Sequence, residues 1–128
     1  MSYNHIMSKK ENVFGSFGYA FQGIGKALKT EPNLRVHIIA GVLVLLAAYF
    51  FKFSKTEWLI LAITISLVII LELINTAVEV ITDMVSPHWS PKAKIIKDVS
   101  AASVMVAAIL ALIVGLVLFL PRISHLLS

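Results

Sequence analysis

The sequence predicts an all-α membrane protein with an N-terminal amphipathic surface helix and three membrane-spanning helices. Of its 128 residues, 59% are hydrophobic and only 14% are charged, whereas soluble domains have about 25% charged residues. The apolar residues form three long runs, at 36–51, 58–71 and 99–120, and none of these runs contains Lys, Arg, Asp or Glu. Extended by their flanking residues, such runs are long enough to cross a bilayer as helices.

The chain is predicted to have a tail followed by one domain. Residues 1–12 are polar and unpatterned, so we expect a disordered tail before a single domain at 13–128. Residues 13–30 place phenylalanines on one helix face and cations on the other, which is typical of a helix lying on a membrane. Pro32 suits the first turn of a new helix, and Pro121 should end the last one. The three spans are expected at about 34–52, 57–83 and 92–120.

The composition excludes some functions and predicts an orientation. Because the chain has no cysteine, a disulfide framework, a zinc-thiolate site and a thiol nucleophile are excluded. The net charge of +4 does not indicate a nucleic-acid partner, because the cations flank apolar runs and form no basic stripe. Eight cations lie on one side of the predicted membrane and three on the other, which places the N-terminus in the cytoplasm. The eight are Lys9, Lys10, Lys26, Lys29, Arg35, Lys92, Lys94 and Lys97, and the three are Lys52, Lys55 and Arg122.

An acidic stripe follows the second apolar run. Glu72, Asn75, Glu79 and Asp83 are separated by three, four and four residues, so all four lie on one face of a helix. A carboxylate in an apolar helix is costly unless it is paired, protonated, metal-bound or facing water. Such residues in a membrane helix are functional by default.

The residue types on this stripe and near it fit phosphoryl transfer at a membrane surface. Mg²⁺ is usually held by one or two carboxylates together with substrate phosphates, and Glu31 and Glu79 could supply these from neighbouring helices. Glu72 lies deeper and could accept a proton, while Asn75 could orient it or the reacting group. Lys97, at the start of the third span, could neutralise charge on a phosphate.

Other roles remain open for several residues. Glu72 could be a structural group bonded to a neighbouring helix, and Asp83 could be a solvated or salt-bridged surface acid. Lys97 could reach towards lipid headgroups. His37 fits contact with a neighbouring helix or with headgroups better than metal binding, and His88 is expected to face solvent, with contact to a nucleotide as the alternative. A line of membrane carboxylates also fits a proton- or cation-conducting oligomer, and a purely structural membrane subunit is a third possibility.

Four segments resemble the small prokaryotic integral-membrane diacylglycerol kinases. The first is Glu72-Leu-Ile-Asn-Thr-Ala-Val-Glu79, followed by Asp83, and the second is Ala93-Lys-Ile-Ile-Lys97-Asp98-Val-Ser-Ala-Ala. Upstream, Gly18-Tyr19 and Glu31-Pro-Asn-Leu-Arg35-Val-His37 resemble the same family. The resemblance extends over about residues 14–121, with the elements in the same order.

This resemblance implies a fold, a reaction and a set of site residues. It implies a homotrimer in the bacterial cell membrane, with three spans and one surface helix per chain and with cytoplasmic active sites shared between subunits. ATP with Mg²⁺ would be the phosphoryl donor, and a lipid alcohol would be the acceptor. The matching positions imply Glu72 as general base, Glu31 and Glu79 as carboxylates for the metal and nucleotide, and Asn75 beside the base. Contacts to ATP are implied for Tyr19, Lys97 and Asp98, and further site candidates are Asp83, Arg35 and His88.

The acceptor is predicted from one departure within the family. Diacylglycerol-specific enteric members tend to carry an acid at the position of His37. The pattern Asn33-Leu-Arg35-Val-His37 resembles the Gram-positive branch, whose preferred acceptor is undecaprenol. Undecaprenol is therefore the expected acceptor, and diacylglycerol is the alternative.

Overall fold

The computed structural model describes residues 13–128, and within this range the chain is four helices and their connections. The helices are α1 (Val13–Thr30), α2 (Pro32–Phe50), α3 (Lys55–Val85) and α4 (Pro91–Leu127). The last three are long and apolar enough to cross a membrane. The predicted fold class, an N-terminal helix followed by three spans, is confirmed. The predicted tail at 1–12 lies outside the described residues.

The polar residues between the apolar runs define the ends of the helices. Ser54 caps α3 through a capping box, in which its hydroxyl accepts from the backbone N–H of Glu57 and the Glu57 carboxylate accepts from the backbone N–H of Ser54. Ser90 caps α4 by accepting from the backbone N–H of Ala93 at 3.0 Å. These bonds satisfy donors that the first turn of a helix leaves unpaired. Pro32 occupies the first turn of α2, as predicted.

The turn after α2 requires an unusual backbone conformation. Lys52 has a φ of 55°, and its N–H bonds to the carbonyl of Tyr49. The N–H of Phe53 reaches back to the carbonyl of Ala48 at 3.1 Å, and both of these residues are buried in one hydrophobic cluster. This is a Schellman ending, in which the left-handed position is usually occupied by glycine. The turn reverses the chain into α3.

The core lies along α3, which packs on both neighbouring spans, and side chains of α2 and α4 meet in one cluster that includes Ala48, Val114 and Leu118. Leu34 and Ala48 on α2 are fully buried. Leu61 and Val68 on α3 are 2% and 6% exposed. Most of the other apolar side chains face outwards. This distribution is expected of helices whose surroundings are lipid tails.

At the end of the bundle opposite the acidic stripe, Arg122 connects α4 to the start of α3. Its guanidinium binds both carboxylate oxygens of Glu57, at 2.6 and 2.8 Å, and lies 4.3 Å from the centroid of the Phe53 ring. The same group also donates to the carbonyl of Leu118 at 3.1 Å. The prediction that Pro121 ends the helix is wrong, because α4 continues through it to Leu127. The contacts of Arg122 stabilise the helical turn that follows Pro121.

Candidate active site

The acidic stripe on α3 descends from the bundle interior to its surface. Glu72 is 2% exposed and Asn75 is 6% exposed, whereas Glu79 is half-buried and the Asp83 side chain is 66% exposed. The predicted helix therefore places all four on one face, but they do not share one environment. Glu72 and Asn75 are buried in the bundle, whereas the Asp83 side chain is exposed at its surface.

The carboxylate of Glu72 has one oxygen without a partner. No hydrogen bond is made by Oε1 within the described residues, although this atom is buried. The other oxygen, Oε2, lies 3.9 Å from Nε2 of His37 on α2, beyond hydrogen-bond distance. A buried carboxylate oxygen without a donor is costly, so it needs a functional explanation. Glu72 has the environment expected of a group that accepts a proton from an incoming molecule.

Three residues interact electrostatically with the carboxylate of Glu72. They are His37 and Glu31, from α2 and its N-terminal cap, and Glu79, two turns further along α3. Glu31 occupies the capping position of α2, but its side chain makes no capping hydrogen bond. Its carboxylate is therefore available for another ligand. Glu31 and Glu79 thus act electrostatically on Glu72, and the grouping of the three glutamates in one site stays a prediction.

Asn75 connects the deep and shallow parts of the stripe. Its amide nitrogen donates to Oε1 of Glu79 at 3.2 Å, and its carbonyl oxygen Oδ1 is buried without a hydrogen bond among the described residues. This hydrogen bond holds the Glu79 carboxylate beside the Asn75 amide. Oδ1 of Asn75 is therefore a second unpaired acceptor among the described residues, one helical turn from Glu72 with its unpaired Oε1.

Two ion pairs border the stripe at the start of α4. Lys97 binds Asp83 at 2.5 Å and interacts electrostatically with Glu79, while Lys94 binds Asp98 at 2.5 Å. All four side chains are at least 41% exposed, and ion pairs this open to water contribute little to stability. They also form one side of a groove of 290 Å³, whose lining includes His88, Trp89, Asp83, Lys94, Lys97 and Asp98.

Two predicted site residues lie apart from this cluster. Tyr19, on α1, is 45% exposed, and Arg35, on α2, is exposed. Within residues 13–128 neither forms a hydrogen bond or an ion pair with the stripe. His88 lies in the loop before α4, where it lines the groove. The sequence had placed it towards solvent or a nucleotide, and its position fits both.

The described residues contain no cluster of three or more His, Asp or Glu side chains arranged to hold a metal ion by themselves. Glu31 and Glu79 are two carboxylates. This number matches the way in which Mg²⁺ is held when substrate phosphates complete its coordination. Their oxygen donors are of the type that a hard divalent cation prefers.

A family comparison agrees with this arrangement. The family model of prokaryotic diacylglycerol kinase matches residues 18–119, which include all four residues of the stripe and both ion pairs. The chain belongs to this family. The predicted resemblance is confirmed.

Relatives within the family carry two different names. A diacylglycerol kinase of Synechocystis is 43% identical over 111 residues, which are 86% of this chain and 63% of the relative. The undecaprenol kinase of Bacillus subtilis is 38% identical over 109 residues, 85% of this chain and 89% of the relative. The diacylglycerol kinase of Escherichia coli K12 is 27% identical over 106 residues, 83% of this chain and 87% of the relative. The family and these names indicate a membrane lipid kinase.

For this family member, sequence reasoning missed the position of His37 beside Glu72. A pattern could have indicated the face of α2 on which it lies, because Leu34, Gly41 and Ala48 are buried at intervals of seven residues and His37 lies three residues after Leu34 and four before Gly41. The pairing of Lys94 with Asp98 follows the i, i+4 rule for helices and was also missed. The sequence had grouped Lys97 with Asp98, whereas the structure gives each a different partner.

Proposed function

We propose that this protein transfers the γ-phosphoryl group of ATP to the hydroxyl of a membrane lipid alcohol at the cytoplasmic surface. One observation supports this most strongly, namely a glutamate in the interior of a membrane-spanning helix that is 2% exposed and has one oxygen without a partner among the described residues. A lipid hydroxyl is the donor that such an oxygen lacks. The family and the names of the relatives support the same reaction.

Glu72 acts as the general base in this proposal. The lipid O–H bond breaks as its proton moves to Oε1 of Glu72, and the alcohol oxygen forms a bond to the γ-phosphorus. The bond from that phosphorus to the bridging oxygen breaks, and ADP leaves with the electron pair. Asn75 holds Glu79 with its amide nitrogen and presents Oδ1 towards the reacting groups. Proton transfer to a positioned carboxylate is efficient when donor and acceptor are within hydrogen-bond reach.

Glu31 and Glu79 would hold Mg²⁺ together with the phosphates of ATP. Both carboxylates interact electrostatically with Glu72, and neither is used as a helix cap or in an ion pair within the described residues. When bound, Mg²⁺ neutralises charge on the β- and γ-phosphates. The two glutamates keep the nucleotide beside the base, where the lipid hydroxyl meets it.

The groove at the start of α4 would receive the nucleotide. Lys97 is proposed to exchange Asp83 for a phosphate, and Asp98 and Tyr19 to contact the nucleotide from α4 and α1. The exposure of the ion pairs supports this role, because exposed pairs are held only weakly. Asp83, His88 and Arg35 are secondary candidates at the edge of the same site.

We propose undecaprenol as the acceptor and diacylglycerol as the alternative. The undecaprenol kinase of Bacillus subtilis is matched over 89% of its length, and the pattern around His37 supports the same choice. The relative from Synechocystis, named diacylglycerol kinase, is 43% identical, which keeps diacylglycerol as the second candidate. His37 lies beside the base, so the residue that differs between branches is close to the group proposed to act on the acceptor.

The proposed enzyme is a homotrimer with its N-terminus and active site in the cytoplasm. The excess of cations at the ends of the spans nearest the acidic stripe supports this orientation. Two buried acceptor oxygens, Oε1 of Glu72 and Oδ1 of Asn75, have no partner within residues 13–128 of one chain. A site completed by substrates and a neighbouring subunit would account for both.

A competition assay tests the proposed function. Purified protein in lipid vesicles receives radiolabelled ATP, Mg²⁺ and equal mole fractions of undecaprenol and diacylglycerol. We expect labelled undecaprenyl phosphate as the main product and no transfer when the metal is chelated. Labelled phosphatidic acid as the main product would support the alternative acceptor. Absence of any labelled lipid from folded protein would refute the proposal.

A further inference from the structure

His37 is the one basic residue on another helix that lies within 4 Å of the carboxylate of Glu72 among the described residues. Its Nε2 lies 3.9 Å from Oε2 of Glu72, and its side chain is 24% exposed. The proposed reaction assigns it no chemical step. Its place beside the base nevertheless makes the two oxygens of Glu72 different, since one faces an imidazole and the other faces no donor.

The position of the imidazole is set by how α2 packs on α3. Leu34, one turn before His37, is fully buried, and Gly41, one turn after it, is buried as well. A side chain added at Gly41 would place its Cβ 3.0 Å from Cγ2 of Ile65 on α3, so the two helices approach closely here. The rotation of α2 about its axis is therefore fixed by Leu34 and Gly41, and His37 must point towards α3.

The ring also lines a small pocket. This cavity of 120 Å³ lies between α2, α3 and α4, and its lining includes His37, Ala40, Gly41, Thr64, Val68 and Ala111. The hydroxyl of Thr64 donates to the carbonyl of Ile60 at 2.6 Å. The cavity therefore leaves the ring room to move, and its remaining walls are apolar.

We propose that His37 is a positioning residue for the general base. The imidazole N–H at Nε2 draws Oε2 of Glu72 towards α2 and so leaves Oε1 pointing at the site where the lipid hydroxyl arrives. A shift of less than about 1 Å converts the observed separation into a hydrogen bond. Hydrogen bonds of this kind are often long without substrate and shorten in the reactive complex. This inference rests on the proposed function and adds a residue to it.

The surroundings favour this role over a structural ion pair. The other charged groups that act on Glu72 are the carboxylates of Glu31 and Glu79, which repel it and offer no hydrogen. The part of α4 that lines the cavity beside His37 is Ala111 and Gly115, which carry no charge. His37 is therefore the nearby donor able to orient the carboxylate from the opposite side to the substrate.

Two substitutions test the N–H donor and the size of the His37 ring separately. His37→Leu fills a similar space without an N–H, and His37→Gln restores a donor at similar reach. For lipid phosphorylation at saturating Mg²⁺–ATP, we expect kcat of the Leu variant to fall about 100-fold, as for a misplaced catalytic group. The Gln variant should recover most of this loss, and the KM for ATP should stay at the wild-type value in both. His125→Leu, at the opposite end of the bundle, is the matched control and should keep wild-type kcat.

A double substitution distinguishes positioning from a general structural role. In a Glu72→Gln background, His37→Leu should cause little further loss, because residues that act as one unit are not additive. A second loss as large as the first would overturn the proposal, as would equal losses in the Leu and Gln variants. Wild-type kcat in the Leu variant would overturn it as well. Thermal unfolding identifies a variant that is not folded, and the Gln variant and the double substitution then decide.

These outcomes are distinct from failure of the proposed function. If wild-type protein transfers no phosphoryl group to either lipid, then the proposed function is wrong. If wild-type protein is active and the ratios between His37 variants differ from those given, then only the role of His37 is wrong.

Discussion

Replacing Glu72 with Gln is the sharpest test of the site because the structure predicts a loss of activity without a loss of stability. The two side chains have nearly the same shape. Within the described residues Oε1 of Glu72 makes no hydrogen bond, and Oε2 is 3.9 Å from its nearest charged neighbour, on His37. The substitution therefore breaks no hydrogen bond. It also removes a carboxylate that is 2% exposed, so the folded state should be at least as stable.

The expected size of the effect comes from the role assigned to Glu72. A positioned general base contributes about 10²- to 10⁴-fold to the rate of a proton transfer. At about 1.36 kcal/mol per factor of ten, the activation free energy of lipid phosphorylation should rise by about 2.7 to 5.4 kcal/mol. The KM for ATP should change little, because Glu31 and Glu79 are the groups proposed to hold the metal and nucleotide.

The assay measures initial rates of phosphoryl transfer to lipid in vesicles, with thermal unfolding measured on the same preparations. Glu57→Gln, at the far end of α3, gives the opposite pattern as a comparison, because it breaks the ion pair with Arg122 and should lower the unfolding temperature while the folded protein keeps wild-type kcat. A Glu72→Gln variant that unfolds like the wild type and retains near-wild-type kcat would show that Glu72 is not the base. A lower unfolding temperature with proportionate loss of activity would show that the carboxylate is structural.

Three further predictions concern the metal, the helix contacts and the turn. Glu79→Ala should raise the apparent KM for Mg²⁺–ATP by at least about tenfold, and an unchanged dependence of rate on Mg²⁺ would contradict this. Gly41→Ala should destabilise the fold by about 1 kcal/mol through crowding, whereas Gly115→Ala should not, because an added Cβ there meets nothing within 4 Å. Comparison of their unfolding temperatures decides. Lys52→Gly should stabilise the fold by about 1 kcal/mol by relieving a left-handed backbone, and a lower unfolding temperature would refute this.

The fold was largely predictable from the sequence because length and apolarity decide where a membrane helix can form. The spans start one or two residues earlier than predicted, at Pro32, Lys55 and Pro91, because the capping residues Ser54 and Ser90 precede the apolar runs. The error at Pro121 has a tertiary cause. A proline ends a helix in isolation, but contacts from Arg122 to another helix are not visible in a local pattern.

The site was predictable to a different extent on each helix. The alignment of Glu72, Asn75 and Glu79 follows from helical spacing, which a sequence displays directly. The approach of Glu31 to the same place depends on how α2 packs on α3, and it was expected from family resemblance. Contact of His37 with a neighbouring helix was among the expectations, but its pairing with Glu72 was not, because the spacing of buried residues on α2 indicates the face that is buried and not the partner on α3.

The outward-facing apolar side chains of α3 and α4 have a consequence for kinetics. A substrate that meets Glu72 between such helices must arrive by diffusion within the plane of the bilayer. Its effective concentration is then its mole fraction among the lipids, and adding more vesicles of the same composition leaves that quantity unchanged. Rate should therefore follow surface dilution of the acceptor by inert lipid, while ATP, which arrives from water, follows ordinary bulk concentration. One active site would obey two different concentration scales.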